Sequence, residues 1–145
     1  MIQRILVLCI GNICRSPMAE GMLRQALPGR AVVSAGLGAM IGKPADPHAL
    51  QLMAEHGIDI DTHRAQQISS ALVSQAEVIL VMDLDQKRHV ETQYMGARGK
   101  VFRLGEAAKV DIPDPYREGI DSFRLAHKLI EAGVKVWSEQ IVKMG

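Results

Sequence analysis

Short runs of bulky apolar residues alternate along the chain with longer segments whose apolar positions recur at helical spacing. The runs contain few polar residues, which is typical of parallel strands buried on both faces of a sheet. We predict four such strands, at residues 5–8, 32–35, 77–82 and 100–104.

The segments between and after these runs predict five helices. They cover residues 17–27, 47–56, 69–75, a stretch that begins at Asp83 or Asp85 and ends before Gly96, and residues 122–142. We expect the two aromatic residues of the last helix, Phe123 and Trp137, to lie in the core. Its other apolar residues at helical spacing include Leu125, Leu129, Val136 and Ile141.

Strands that alternate with helices imply a parallel sheet whose two faces are covered by right-handed crossovers. In such sheets the ligand site lies beyond the carboxyl ends of the strands. Cys9, Ser34 and Asp83 lie at or near the ends of three predicted strands. We therefore expect all three to emerge at the same edge of the sheet.

Composition narrows the class of protein. A chain of 145 residues buries roughly 68–70 % of its unfolded surface, so we expect one domain over residues 1–145. With a formal charge of +1 and an aromatic content of 3 %, the chain is not expected to form the broad basic surface that binds nucleic acid. No segment is typical of a secretory leader or a membrane span, and the two cysteines suit a reducing compartment. We expect a cytoplasmic protein that does not insert into a membrane.

The stretch from Cys9 to Ser16 joins the first strand to the first helix. Its intervening residues are Ile10, Gly11, Asn12, Ile13, Cys14 and Arg15. We expect a tight loop that binds an anion, because unpaired N–H groups and the helix dipole favour negative charge there. Gly11 and Asn12 tolerate left-handed turns. Ser16 is a natural helix cap, and Pro17 suits a first helical turn.

The residue types in this loop predict a phosphoryl-transfer site. A helix N-terminus and a neighbouring guanidinium favour the thiolate form of a cysteine, which is the attacking form. Cys9 would attack phosphorus while the loop amides and Arg15 stabilise the transferring group. Cys-x5-Arg spacing alone is weak evidence, and its context between strand and helix carries the weight. The alternative is a structural cysteine beside a surface arginine.

A second chemical candidate is Asp114, which stands between Pro113 and Pro115. One carboxyl group there could protonate the leaving oxygen and then activate water. The alternative is an ordinary Asp-Pro turn. Tyr116 could form an aromatic wall for a ring-bearing substrate, or it could be a half-buried surface residue.

These motifs resemble those of the low-molecular-weight protein tyrosine phosphatases, and the resemblance runs from about residue 5 to residue 137. It implies a single-domain three-layer αβα sandwich with a four-stranded parallel twisted sheet, of the phosphotyrosine phosphatase I type. Residues 34–47 resemble the bacterial branch that dephosphorylates tyrosine autokinases of capsule and exopolysaccharide export. The implied substrate is a phosphotyrosine protein, and the enzyme would be a phosphoric monoester hydrolase without a cofactor.

The resemblance assigns roles around the loop. Cys9 matches the nucleophile, Arg15 the phosphate-binding arginine and Asp114 the general acid and later base. Asn12 matches the residue that holds the loop, and Ser16 the hydroxyl that assists departure of the sulfur.

Further matches surround these residues. Ser34 and His63 match positions that hydrogen-bond to the asparagine, and Leu37 or Met40 would face Tyr116 across the pocket. The resemblance also implies that Cys14 can form a protective disulfide with Cys9. Family members commonly carry arginine where this chain has Gln66, so a supporting salt bridge is expected to be missing or rerouted.

Two other functions remain open. Thioredoxin-coupled arsenate reductases use a similar loop but need two further cysteines, and this chain has only two in all. A phosphate-binding module without turnover would have no reason to present Asp114. The histidines outside the motifs show no ligand spacing, so no metal site is expected. They are His48, His56, His89 and His127.

Overall fold

The computed structural model describes residues 1–144 and contains one parallel sheet in the order β2-β1-β3-β4. Its strands are β1 Arg4–Cys9, β2 Ala31–Gly36, β3 Val78–Val81 and β4 Val101–Arg103. The helices are α1 Arg15–Ala26, α2 Pro47–Glu55, α3 Ser70–Gln75, α4 Leu84–Gln93 and α5 Ile120–Lys143. All the predicted strands and helices are therefore present, and most of their ends differ by one or two residues.

Alternate residues of β1 face two separate cores. Ile5 and Val7 pack into the core that includes side chains of α1, α2 and α5. Leu6 and Leu8 belong to the other core, with Val73 of α3 and Val90 of α4 on the opposite face. This confirms the expected three-layer αβα architecture in a single domain.

The chain changes direction across the sheet at β1. From β1 it proceeds through α1 to β2 on one side, then crosses back to β3 on the other side of β1. A crevice forms where strand order reverses in this way, and it lies at the carboxyl ends of the strands. Cys9 is the last residue of β1 and pairs in register with Gly36, the last residue of β2. The fold therefore places the predicted loop at the switch point.

The buried face of α5 differs from the expected one. Phe123 is fully buried and Trp137 is largely buried, so both aromatic predictions are confirmed. Leu125 is 52 % exposed, so its helical spacing does not place it on the buried face. The face that packs consists of Phe123, Ala126, Ile130, Val134, Trp137 and Ile141.

Helix α5 also holds the segment after β4 in place. The Trp137 indole nitrogen donates to the carbonyl of Arg103 at 3.2 Å, and the Arg103 guanidinium donates to Asp111 at 3.0 Å. The backbone nitrogen of Ile112 then donates to the carbonyl of Met82 at 2.9 Å. These contacts hold the approach to Asp114 against the carboxyl end of β3. Within residues 1–144, no helix combines the length and the apolar character needed to cross a membrane.

Candidate active site

The loop after β1 directs its carbonyl groups outward, into hydrogen bonds with a neighbouring segment of backbone. The donors and acceptors are Leu37 N to Cys9 O (2.9 Å), Gly38 N to Ile10 O (3.0 Å), Met40 N to Gly11 O (3.0 Å) and Asp46 N to Ile13 O (2.8 Å). Within the described chain, no protein group accepts from the backbone N–H groups of residues 10–14. The loop therefore offers donors to an anion, at the start of α1.

Asn12 holds this loop together from within. It is fully buried and has a φ of 59°, in the left-handed region that asparagine tolerates. Its side-chain nitrogen donates to the hydroxyls of Ser16 at 2.7 Å and Ser34 at 2.9 Å. The His63 Nε2 atom donates to the Asn12 carbonyl at 2.6 Å. The structure thus brings Ser34 and His63 to Asn12, as the resemblance implies.

Gln66 supports the same loop through neutral hydrogen bonds. Its backbone nitrogen donates to Asn12 Oδ1 at 2.9 Å, and its side-chain nitrogen donates to the Ser34 carbonyl at 2.9 Å. The Arg64 guanidinium donates instead to the carbonyls of Asp61 and His63. In place of the salt bridge expected of an arginine at this position, the Gln66 amide supplies neutral hydrogen bonds that support the loop.

Two local predictions about the loop were wrong. Helix α1 begins at Arg15 with Cys14 as its N-cap, and no side chain caps it. The Ser16 hydroxyl lies inside the loop, 3.0 Å from Cys9 Sγ, because Asn12 holds it there. Gly11 does not have a positive φ. The left-handed turn falls on Asn12 alone.

Arg15 links the loop to two carboxylates. Its guanidinium is almost fully buried and donates to the Ile112 carbonyl at 2.7 Å. Asp83 Oδ2 lies 3.9 Å from one terminal nitrogen, and Asp114 Oδ2 lies 3.7 Å from the other. These contacts orient the guanidinium while leaving it able to bind a phosphoryl group through its planar fork.

Cys9, Arg15, Asp114 and Tyr116 line one cavity of about 140 Å³. Met40 lines it too, whereas Leu37 lies in a neighbouring groove beside Asp83. Of the two candidate aliphatic walls, only Met40 therefore reaches the cavity. The backbone nitrogen of Tyr116 donates to Asp114 Oδ1 at 3.1 Å, which ties the carboxyl group to the backbone of the residue that carries the ring.

The two thiols have different surroundings. Both are free and buried. Burial raises the pKa of Cys14 far above its usual range, and the negative charge of Asp46 adds to the shift. Cys14 is therefore a protonated thiol at neutral pH and a poor nucleophile. Its disulfide with Cys9 stays a prediction.

Sequence reasoning missed Gly36. A Cβ atom there would lie 2.5 Å from the Ile10 carbonyl oxygen and 3.0 Å from Ala39 Cα. Glycine at this position lets the loop backbone pass directly against the end of β2. The residue's place at the end of a predicted strand, next to the predicted loop, was the signal that could have revealed it.

We expect Gly36→Ala to displace the Ile10 carbonyl and misalign the amides beside it. A shift of about 1 Å at such a site can cost roughly 10² in kcat, and the crowding itself costs about 1–3 kcal/mol of stability. Steady-state kinetics and thermal unfolding measure both effects. Gly96→Ala is the control, because a Cβ atom there meets no other atom within 4 Å. A Gly36→Ala enzyme with kcat within roughly twofold of the unsubstituted enzyme would contradict this account of the loop.

Comparisons with known proteins agree with this geometry. The family model for low molecular weight phosphotyrosine protein phosphatase matches residues 4–144. The probable low molecular weight protein-tyrosine-phosphatase EpsP of Ralstonia nicotianae is 54 % identical over 145 residues, which cover 100 % of both chains.

Two solved structures extend the comparison. The tyrosine phosphatase Wzb from Escherichia coli K30, in complex with sulphate, is 37 % identical and superposes with a TM-score of 0.93 over 97 % of this chain and 99 % of its own. Vibrio vulnificus Wzb in complex with benzylphosphonate is 39 % identical, with the same TM-score and coverage. The chain therefore belongs to the low-molecular-weight phosphotyrosine protein phosphatase family.

Proposed function

We propose that this protein hydrolyses phosphotyrosine in proteins, and small aryl phosphates, through a phosphocysteine intermediate on Cys9. One observation carries the proposal: Cys9, Arg15 and Asp114 line a single cavity at the open face of a loop with unpaired amides. A nucleophile, an anion-binding surface and a proton donor are the parts that phosphoryl transfer needs.

The first step transfers the phosphoryl group to the enzyme. The Cys9 thiolate attacks phosphorus in line with the tyrosine oxygen, so an S–P bond forms as the P–O bond breaks. The Asp114 carboxyl group gives its proton to the leaving oxygen, which departs as neutral tyrosine. Arg15 and the loop amides stabilise the charge on the equatorial oxygens throughout.

The second step releases phosphate. Asp114, now a carboxylate, takes a proton from water as the water oxygen attacks phosphorus and the S–P bond breaks. The departing sulfur regains its negative charge. The Ser16 hydroxyl, 3.0 Å from Cys9 Sγ, donates a hydrogen bond to that charge and eases its departure.

The cavity walls favour an aryl substrate over an alkyl one. Tyr116 and Met40 line the same cavity as Cys9, and both side chains can pack against a phenyl ring. A phosphoserine side chain is shorter, so its phosphorus would not reach the sulfur. The benzylphosphonate bound to the Vibrio vulnificus relative also carries a phenyl ring, joined to its phosphonate by one methylene group.

We also propose a biological setting. The resemblance of residues 34–47 to the capsule and exopolysaccharide branch supports a bacterial tyrosine autokinase as the partner. Two free cysteines suit the reducing cytoplasm.

Matched peptides test the proposed activity. We expect phosphotyrosine peptide to be hydrolysed with a kcat/KM roughly 10² or more above that of the phosphoserine peptide of the same sequence. Phosphate release measures both rates, and Cys9→Ser, which should hydrolyse neither, controls for a contaminating phosphatase. Equal rates on the two peptides, or thioredoxin-dependent arsenate reduction without hydrolysis, would overturn the proposal.

Leaving-group dependence tests the role of Asp114. Asp114→Asn should lower kcat by roughly 10² to 10⁴ for poor leaving groups and much less for good ones, because only a poor leaving group needs the proton. A series of substituted phenyl phosphates measures how steeply kcat depends on the pKa of the leaving group in each enzyme.

Asp83→Asn is the matched control for this series. Asp83 also lies near Arg15 but lines a different groove, and asparagine preserves its cap on α4. Its effect should be the same for every leaving group. If Asp114→Asn also lowered kcat by the same factor for every leaving group, Asp114 would not be the general acid.

A further inference from the structure

The far end of α2 meets α5 in a cluster of three side chains that the proposed chemistry does not use. His56 follows directly after α2, and His127 and Glu131 lie four residues apart on α5, so they share a face of that helix. The two imidazole rings lie 4.3 Å apart between centroids. One potential ligand atom from each of the three side chains lies within 4.8 Å of the others. The fold thus assembles two imidazoles and a carboxylate from distant parts of the sequence.

His127 is the unusual member of this cluster. It is only 4 % exposed, and its Nε2 atom is buried with no hydrogen-bond partner among the described residues. A buried polar atom without a partner destabilises the fold, so this position is unfavourable for a histidine with a purely structural role. Neutral imidazole binds a metal through a ring nitrogen that carries no proton and has no other partner. The Nε2 atom of His127 has no partner among the described residues.

His56 has the hydrogen bond that typically orients a metal-bound histidine. Its Nδ1 atom lies 2.8 Å from the Leu52 carbonyl, and since a carbonyl only accepts, Nδ1 carries the proton. The lone pair of Nε2 is then free for a ligand. His56 and Glu131 are both exposed, so an ion can enter from solvent.

We propose that His56, His127 and Glu131 form a binding site for one Zn²⁺ ion per chain. Imidazole nitrogen and carboxylate oxygen are usual zinc ligands, with bonds of about 2.0–2.2 Å, and a water would complete a tetrahedral site. The donors must approach one another by about an ångström for such bonds, and the two exposed side chains have the freedom to do so. A harder ion such as Mg²⁺ is not expected, because two of the three ligands are nitrogens.

The bound ion would join the end of α2 to α5. None of its three ligands lines the cavity that contains Cys9, so the proposed role is to stabilise the fold and is independent of the proposed catalytic function. The opposite end of α2 is capped by Asp46, whose backbone nitrogen donates to the Ile13 carbonyl of the catalytic loop. The ion would thus fix the helix that supports one side of that loop.

Zinc titration of the Cys9→Ser protein tests this proposal, because that background removes the active-site thiol as a competing ligand. We expect one Zn²⁺ per chain by calorimetry and a higher thermal midpoint with zinc than with Mg²⁺. His56→Gln and Glu131→Gln, both at exposed positions, should each weaken binding by roughly 10- to 100-fold. His89→Gln removes another exposed histidine as the matched control and should leave the affinity unchanged.

X-ray absorption of the zinc-loaded protein identifies the ligands. Scattering from two imidazoles and only nitrogen or oxygen neighbours supports the site, while a sulfur neighbour would place zinc on Cys14 and overturn it. Unchanged affinity in both His56→Gln and Glu131→Gln would overturn it as well. An equal loss in His89→Gln would mean adventitious binding to surface histidines.

Discussion

The candidate active site depends on the hydrogen bonds of one buried side chain, that of Asn12. A loop whose amide groups all face inward is unfavourable on its own, because its backbone adopts a left-handed turn and its donors lack partners. Asn12 supplies that turn at φ 59° and bonds to Ser16 and Ser34, and the loop carbonyls bond to the segment that follows β2. These hydrogen bonds thus hold the loop in its anion-binding shape before any anion arrives, which is preorganisation of the site for phosphoryl transfer.

The charged and reactive groups around the loop have different surroundings. Arg15 is held by the Ile112 carbonyl and lies near two carboxylates, of which Asp114 reaches the cavity and Asp83 lies in the adjoining groove. Burial keeps the thiol of Cys14 protonated, although it lies five positions from Cys9. The proposed nucleophile, Cys9, and the proposed acid, Asp114, therefore line the same cavity beside a single anion-binding surface.

Local sequence signals predicted the strand, loop and helix at the site, because apolar runs, turn-forming residues and a following helix are encoded over a few neighbouring positions. Contacts between distant segments were harder. Gln66 looked like the loss of a charged support and proved to be a donor to Asn12 and Ser34. Leu125 and Phe123 are both apolar, and only packing against the sheet decides which side of α5 is buried. His56 and His127 have no ligand spacing in sequence, yet α2 and α5 bring their rings together.

The most direct test of the account is mass spectrometry of enzyme quenched during turnover of para-nitrophenyl phosphate, with fragmentation to locate any phosphoryl group. The account predicts one phosphoryl group on Cys9, present during turnover and lost when substrate is exhausted. A phosphoryl group on a different side chain, or hydrolysis at full rate with no covalent intermediate on Cys9, would contradict it.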